Sequence, residues 1–213
     1  MSRQAMIAAA LDMERLGLNR GSSGNISLRS GDGFLVTPSG MPPSRLSEAD
    51  IVAMDMEGTA SGVRKPSSEW RFHRDIYAAR PDCHAVVHAH PPFCVALASH
   101  RRGIPAFHYM VAMAGGKDIR CAPYATYGTQ ELSDLAVAAL EDRRACLLGN
   151  HGMIAIGPNL ERALALAVEV EGLAEGYWRA LQIGAPVLLD DAEMAKVLEK
   201  FKTYGANAQG AGR

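Results

Sequence analysis

The chain has no stretch approaching the roughly 20 consecutive apolar residues that a membrane-spanning helix needs. Its N-terminal segment also lacks the uninterrupted apolar run of a signal peptide, because Arg3, Asp12, Glu14 and Arg15 interrupt it. A cytoplasmic protein is therefore expected. Net charge is nearly absent too: 22 Lys and Arg against 23 Asp and Glu leave −1, which gives no broad electrostatic attraction to nucleic acid or an anionic membrane. The four cysteines, Cys83, Cys94, Cys121 and Cys146, form no Cys-x-x-Cys pair, which argues against both a disulfide framework and a thiolate zinc site. They are expected to be reduced and buried. What remains is ordinary: 213 residues, 48% hydrophobic and 21% charged, enough to bury a substantial core as a single domain without crosslinks.

Periodicity then divides the chain. Met6, Ile7, Ala10, Met13 and Leu16 recur at three- and four-residue steps, so 3–16 reads as an amphipathic helix stopped by Gly17. Asn19–Gly24 reads as a loop of conformationally permissive residues, and Asn25–Arg29 alternates as a strand. A turn over Ser30–Gly33 predicts a hairpin partner at Phe34–Thr37. After the proline-rich break at Pro38–Pro43, Ser47–Asp50 suits a single capped turn and Ile51–Asp55 another strand. Ser67–Trp70 opens a helix to about Arg80, and Ala85–His90 is a strand halted by Pro91 and Pro92, which suit the first turn of the next helix. Helices are expected over 129–141, 159–183 and from the Asp190–Glu193 capping box to about Lys202; buried strands are expected at Ala145–Leu148 and Met153–Ile156. Strands interspersed with helices predict an α/β fold with a central sheet covered on both faces.

The chemistry-bearing residues sit at strand ends. His88 and His90 are two apart on a strand, so their imidazoles point to one face while Ala89 packs behind. That pair suits either a shared metal ion or satisfied structural histidines. Its position at a strand end followed at once by a helix favours the ion, since that is where an α/β sheet opens a crevice. His151 lies between Asn150 and Gly152, where a tight turn would swing its ring towards the same crevice. Three neutral imidazoles with one open position are the ligand pattern of catalytic zinc. His73, His84 and His100 are read as structural or solvated, and His108, beside Tyr109, is left between that role and lining the site.

The segments Gly24–Asn25, Thr37–Gly40, Pro66–Trp70, His88–His90, His108–Met110, Ala122–Gly128, His151–Gly152 and Lys200–Gly205 together resemble the class II aldolase and adducin family, in order along nearly the whole chain. The resemblance implies a three-layer α/β/α fold around a largely antiparallel mixed sheet, a cyclic homotetramer, and active sites at subunit interfaces. It implies that zinc is held by His88, His90 and His151, with Glu69 as resting fourth ligand and catalytic acid/base. Gly24, Asn25, Ser39, Gly40, Ser67 and Ser68 match the phosphate-binding positions, and Tyr109 and Tyr204 match the family's active-site tyrosines. The implied reaction is cleavage of a ketose 1-phosphate (L-fuculose, 5-deoxyribulose or 5-methylthioribulose 1-phosphate) to dihydroxyacetone phosphate and a short aldehyde. The family also includes a sugar-phosphate 4-epimerase, a methylthioribulose-1-phosphate dehydratase and the non-catalytic head of adducin. Ser67–Glu69 and Lys200–Tyr204 look more like the aldolases. Two departures stand out: Asn150 replaces a histidine common in relatives, and Tyr127 replaces a frequent Phe, which is expected to alter the aldehyde pocket. The Ala- and Gly-rich segment after Gly205 is expected to be loose.

Overall fold

The computed structural model describes residues 2–202. Tyr204 and the expected loose tail lie outside them. The first helix, α1 (Arg3–Arg15), leads through the Asn19–Gly24 loop into the hairpin β1 (Asn25–Ser30) and β2 (Gly33–Val36), followed by β3 (Val52–Met54) and a short β4 (Ala60–Ser61). Next come α2 (Trp70–Ala79), β5 (Ala85–Ala89), α3 (Pro92–Ser99), β6 (Arg120–Ala122), α4 (Gln130–Ala139), β7 (Ala145–Leu148) and β8 (Gly152–Gly157). Two helices end the described chain, α5 (Leu160–Ile183) and α6 (Asp191–Phe201). The helix starts follow the capping chemistry. Thr129, Asn159 and Asp190 each accept from a backbone N–H three residues on, and Pro92 occupies the first turn of α3, where its missing N–H costs nothing.

All eight strands form one sheet in the order β4-β3-β2-β1-β5-β8-β7-β6, antiparallel throughout except for the edge pair β6 and β7. Strand alternation splits the core in two. On one face Ala85, Val87 and Ala89 of β5 pack with Met153 and Ala155 of β8 against α1, α3 and α5. On the other, Val86, Cys146, Ile154 and Ile156 pack against Phe72, Ile76 and Tyr77 of α2 and Leu132 and Ala136 of α4. The sheet is therefore sandwiched as expected, with 0–1% exposure at almost every strand residue of β5 and β7. The cysteines are all free, three of them buried and Cys121 half-buried.

Besides the two-residue edge strand β4, which was not expected, the structure departs from the expected elements in three places. Helix α2 starts at Trp70, because the Glu69 N–H donates to Ser67 Oγ and the preceding residues form a non-helical turn. Strand β6 was not expected; with three residues it is too short to alternate and forms by pairing on the edge of β7. Tyr109–Ala114, an almost unbroken apolar run with no period, forms a 3-10 helix. No helix among the described residues is long and apolar enough to cross a membrane.

Candidate metal centre and its cavity

The centre of the sheet positions the histidines. Asn25 of β1 pairs with His88 of β5, and His88 pairs on its other side with Ile154 of β8. His88 shares the face of Val86 and lies edge-on to Phe72 of α2, fully buried. His90 follows the end of β5, its backbone N–H held by Asn19 Oδ1 at 3.0 Å. His151 sits in the turn between β7 and β8, where Asn150 adopts a left-handed φ of 54°. Gly152 completes the arrangement by close approach: a β-carbon there would lie 2.4 Å from the Ala89 carbonyl oxygen and 2.6 Å from His90 Cδ2.

The three imidazoles converge through Nε2. His88 and His90 Nε2 are 2.9 Å apart, and Glu69 closes the group, with Oε2 3.2 Å from His88 Nε2 and Oε1 3.3 Å from His151 Nε2. Ligand atoms of His88, His90 and His151 all lie within 4.8 Å of one another. A tetrahedral zinc sphere with bonds of about 2.0–2.2 Å separates its donors by roughly 3.3 Å, close to these spacings. The hydrogen bonding also asks for a cation. His88 Nδ1 donates to the Met153 carbonyl at 2.9 Å, so in its neutral form the Nε2 facing Glu69 carries only a lone pair. Glu69 Oε1 is within ion-pair distance of His151 but not oriented for a hydrogen bond, and it is a buried carboxylate oxygen without a partner. Residues His88, His90, His151 and Glu69 therefore fit a divalent metal.

Electrostatics agree. Burial, reinforced by the neighbouring imidazoles, lowers the His90 and His151 pKa values to about 3 and about 4, keeping both rings in the neutral, metal-ligating form. Burial raises the Glu69 pKa; positive charge at the imidazole positions facing it, as a bound cation would supply, and the hydrogen bond from the Asn25 amide act the other way and hold the carboxyl below its usual range.

Beside this cluster opens a cavity of about 380 Å³ that Glu69, His90 and His151 line together with all six expected phosphate-binding residues, Gly24, Asn25, Ser39, Gly40, Ser67 and Ser68. Among the described residues, the backbone N–H groups of Gly24, Gly40 and Ser68 donate to no protein acceptor. Those of Ser39 and Ser67 are engaged, with the carbonyls of Lys65 and Thr37, so these serines have only their hydroxyls to offer. Asn25 is also less free than expected: its Nδ2 donates to Glu69 Oε2 at 2.9 Å and its Oδ1 meets His73 Nε2 at 2.5 Å. Among the described residues the cavity lining contains no Lys or Arg, and its polar groups are backbone amides, hydroxyls, the Asn25 and Asn150 amides, imidazoles and the Glu69 carboxylate.

Of the remaining expected residues, Tyr127 reaches this cavity and Tyr109 does not. Tyr124 and Tyr127 line the cavity mouth, both exposed. Tyr109 does not line it; half exposed, it borders a separate groove with Phe107, His108, Leu189 and Val197. Sequence reasoning missed Asn19, which fixes the His90 backbone and packs so closely under Gly24 that a β-carbon would lie 2.1 Å from its Nδ2. His73, read as structural or solvated, is fully buried, and its ring meets Asn25 behind Glu69.

Comparison with known proteins agrees with this geometry. Residues 4–178 match the family model described as the Class II Aldolase and Adducin N-terminal domain. A 5-methylthioribulose-1-phosphate/5-deoxyribulose-1-phosphate aldolase from Rhodospirillum rubrum is 61% identical over 97% of this chain and 94% of its own. The L-fuculose phosphate aldolase of Escherichia coli (strain K12) is 53% identical over 96% and 95%. Among solved structures, an L-fuculose 1-phosphate aldolase superposes with a TM-score of 0.91 at 43% identity, covering 94% of this chain and 95% of that one. These likenesses establish that the chain belongs to the class II aldolase and adducin family.

Proposed function

We propose that this protein is a zinc-dependent aldolase that reversibly cleaves a ketose 1-phosphate to dihydroxyacetone phosphate and a short aldehyde. One observation carries the reading: Glu69, with a buried oxygen that lacks a partner, shares one cavity with the imidazole cluster and three unpaired backbone N–H groups. The greater identity of the Rhodospirillum rubrum relative favours 5-deoxyribulose and 5-methylthioribulose 1-phosphates over L-fuculose 1-phosphate as substrates.

His88, His90 and His151 would hold the zinc, with Glu69 as fourth ligand in the resting state. Bound there, the ion supplies Lewis acidity that stabilises the negative oxygen developing as the carbon–carbon bond breaks. The Gly24, Gly40 and Ser68 N–H groups and the Ser39, Ser67 and Ser68 hydroxyls bind the phosphate and orient the substrate. In cleavage a tyrosine, Tyr109 or Tyr204, takes the proton from the hydroxyl of the carbon that becomes the aldehyde while Glu69, freed from the metal and protonated from solvent, delivers a proton to the enediolate carbon; synthesis reverses both transfers. Tyr109 lies outside the cavity lining, so its role at the aldehyde end requires delivery by a neighbouring copy, in keeping with a homotetramer whose active sites are interfacial. Tyr204 is assigned the same end by its family match. The chain carries the chemistry of a cytoplasmic enzyme of sugar-phosphate metabolism.

The test is coupled detection of dihydroxyacetone phosphate from 5-deoxyribulose, 5-methylthioribulose and L-fuculose 1-phosphates, with zinc-loaded and chelator-treated protein. Zinc-dependent release, with higher kcat/KM for the first two, is expected. Metal-loaded protein that releases nothing from any of the three refutes the aldolase.

A further inference from the structure

Behind Glu69 a row of buried polar side chains runs between α2 and β1. Glu69, His73 and Tyr77 are four apart and so share one face at the start and along the length of α2; Asn25 and Ser27 are two apart on β1 and share one face of the sheet. The two spacings match, because four helical residues advance about 6.0 Å and two strand residues about 6.6 Å. The side chains consequently mesh alternately, Glu69, Asn25, His73, Ser27, Tyr77. Their contacts are 2.9 Å from Asn25 Nδ2 to Glu69 Oε2, 2.5 Å from His73 Nε2 to Asn25 Oδ1, 2.7 Å from Ser27 Oγ to His73 Nδ1 and 2.7 Å from Ser27 Oγ to Tyr77 OH.

The direction of every bond follows from the end members. A carboxylate only accepts, so Asn25 must present its NH₂ to Glu69 and therefore its carbonyl oxygen to His73. A carbonyl oxygen also only accepts, so His73 Nε2 carries a proton. The ring is fully buried, and burial lowers its pKa to about 3, so it is neutral and Nδ1 is bare. Ser27 must then donate to Nδ1, which leaves its oxygen to accept from Tyr77, whose hydroxyl burial keeps protonated. All donors thus point towards Glu69.

We propose that His73 is a positioning residue for the aldol reaction: its Nε2–H locks the Asn25 amide in the one orientation that donates to Glu69, and Ser27 and Tyr77 set the tautomer that allows it. Without that proton a bare Nε2 would compete with the carboxylate for the amide's NH₂, and an amide turned towards it would set its oxygen against Glu69, which repels it. The effect on rate rests on the reading of Glu69 as the proton-transfer group; the tautomer does not.

The test has two arms. In zinc-loaded protein, the ¹⁵N spectrum of the His73 imidazole, assigned by its disappearance in His73→Phe, should show a protonated Nε2 and a bare Nδ1 at neutral pH. An Nδ1–H tautomer overturns the proposal whatever the activity. In the kinetic arm, His73→Phe keeps a ring in place without its hydrogen bonds, and His73→Gln restores one donor and one acceptor. His73→Phe should lose about tenfold to a hundredfold in kcat, the cost of one hydrogen bond to a charged group, with KM within twofold and full zinc content. His73→Gln should recover most of that loss. Unchanged kcat in His73→Phe, equal losses in both variants, or a loss that merely tracks zinc content overturns the positioning role. Should His73→Phe fail to fold, Ser27→Ala removes the donor to Nδ1 and should admit the Nδ1–H tautomer with a smaller loss in kcat; wild-type tautomer and kcat in that variant overturn the proposal equally. A Glu69→Gln variant that still exchanges the hydroxymethyl proton of dihydroxyacetone phosphate refutes the role of Glu69 alone and leaves the spectroscopic arm to decide the tautomer.

Discussion

Gly152 lies so near His90 that a β-carbon would stand 2.6 Å from the ring's Cδ2 and, at the same time, 2.4 Å from the Ala89 carbonyl oxygen. The residue after the third histidine therefore sets the position of the second. A Gly152→Ala chain must shift either the imidazole or the backbone joining β5 to β8. Either movement spoils the convergence of Nε2 atoms. Zinc affinity, measured by competition with a chromophoric chelator, should fall at least tenfold, in the range seen when the supports of metal ligands are disturbed. Undiminished affinity with native circular dichroism would show that the ring can yield without cost.

Metal removal should expose the strain of the cluster itself. Without an ion, Glu69 Oε1 has no partner and His88 Nε2 faces a carboxylate and another imidazole. Zinc at a thousand times its dissociation constant stabilises a folded protein by about 4 kcal/mol. For a chain of this length that corresponds to a melting temperature lowered by roughly 10 °C when a chelator strips the metal. An identical melting curve would mean that the four side chains do not bind the ion in the folded state.

Most of this architecture was legible from local signals. The His88 and His90 spacing declared a shared strand face, the Pro91–Pro92 pair declared the end of that strand, and turn and cap residues located the starts of all six helices to within a few positions. What stayed hidden depends on register between distant segments. Asn25 and His73 are separated by 48 residues and Ser27 and Tyr77 by 50, and each reads singly as an ordinary strand or helix residue. Only the pairing of β1 with β5 and the packing of α2 across them turn the four into one row. Asn19 was hidden for the same reason, because its loop says nothing about the His90 backbone it holds.

His73 also makes stability depend on acidity. In the unfolded chain it takes up a proton as pH falls through about 6.5, while burial delays protonation in the folded chain until about 3. Between those values the unfolded state binds more protons, so stability is full above pH 6.5 and is lost as pH falls, by up to about 1.4 kcal/mol per pH unit for this one group. Denaturant unfolding of metal-free protein at pH 7 and pH 5 should show the loss, and His73→Gln should show a smaller one. Parallel losses in the two proteins would mean that His73 is not held neutral.

Ser67 and Ser68 should separate binding from chemistry. Both line the cavity, but Ser68 is exposed and its hydroxyl makes no bond to the described protein, whereas buried Ser67 Oγ also accepts the Glu69 N–H. A hydrogen bond to a charged group contributes about 1.5–3 kcal/mol, so Ser68→Ala should raise KM by roughly tenfold or more while kcat and melting temperature stay near wild type. On the proposed phosphate site, Ser67→Ala removes the same kind of contact and in addition frees the turn in which Ser67 Oγ accepts the Glu69 N–H. It should raise KM and lower kcat together. Steady-state kinetics on one ketose 1-phosphate decides the matter: equal effects of the two variants on kcat would show that Ser67 acts on the phosphate alone and that Glu69 is aimed by Asn25 without help from its own turn.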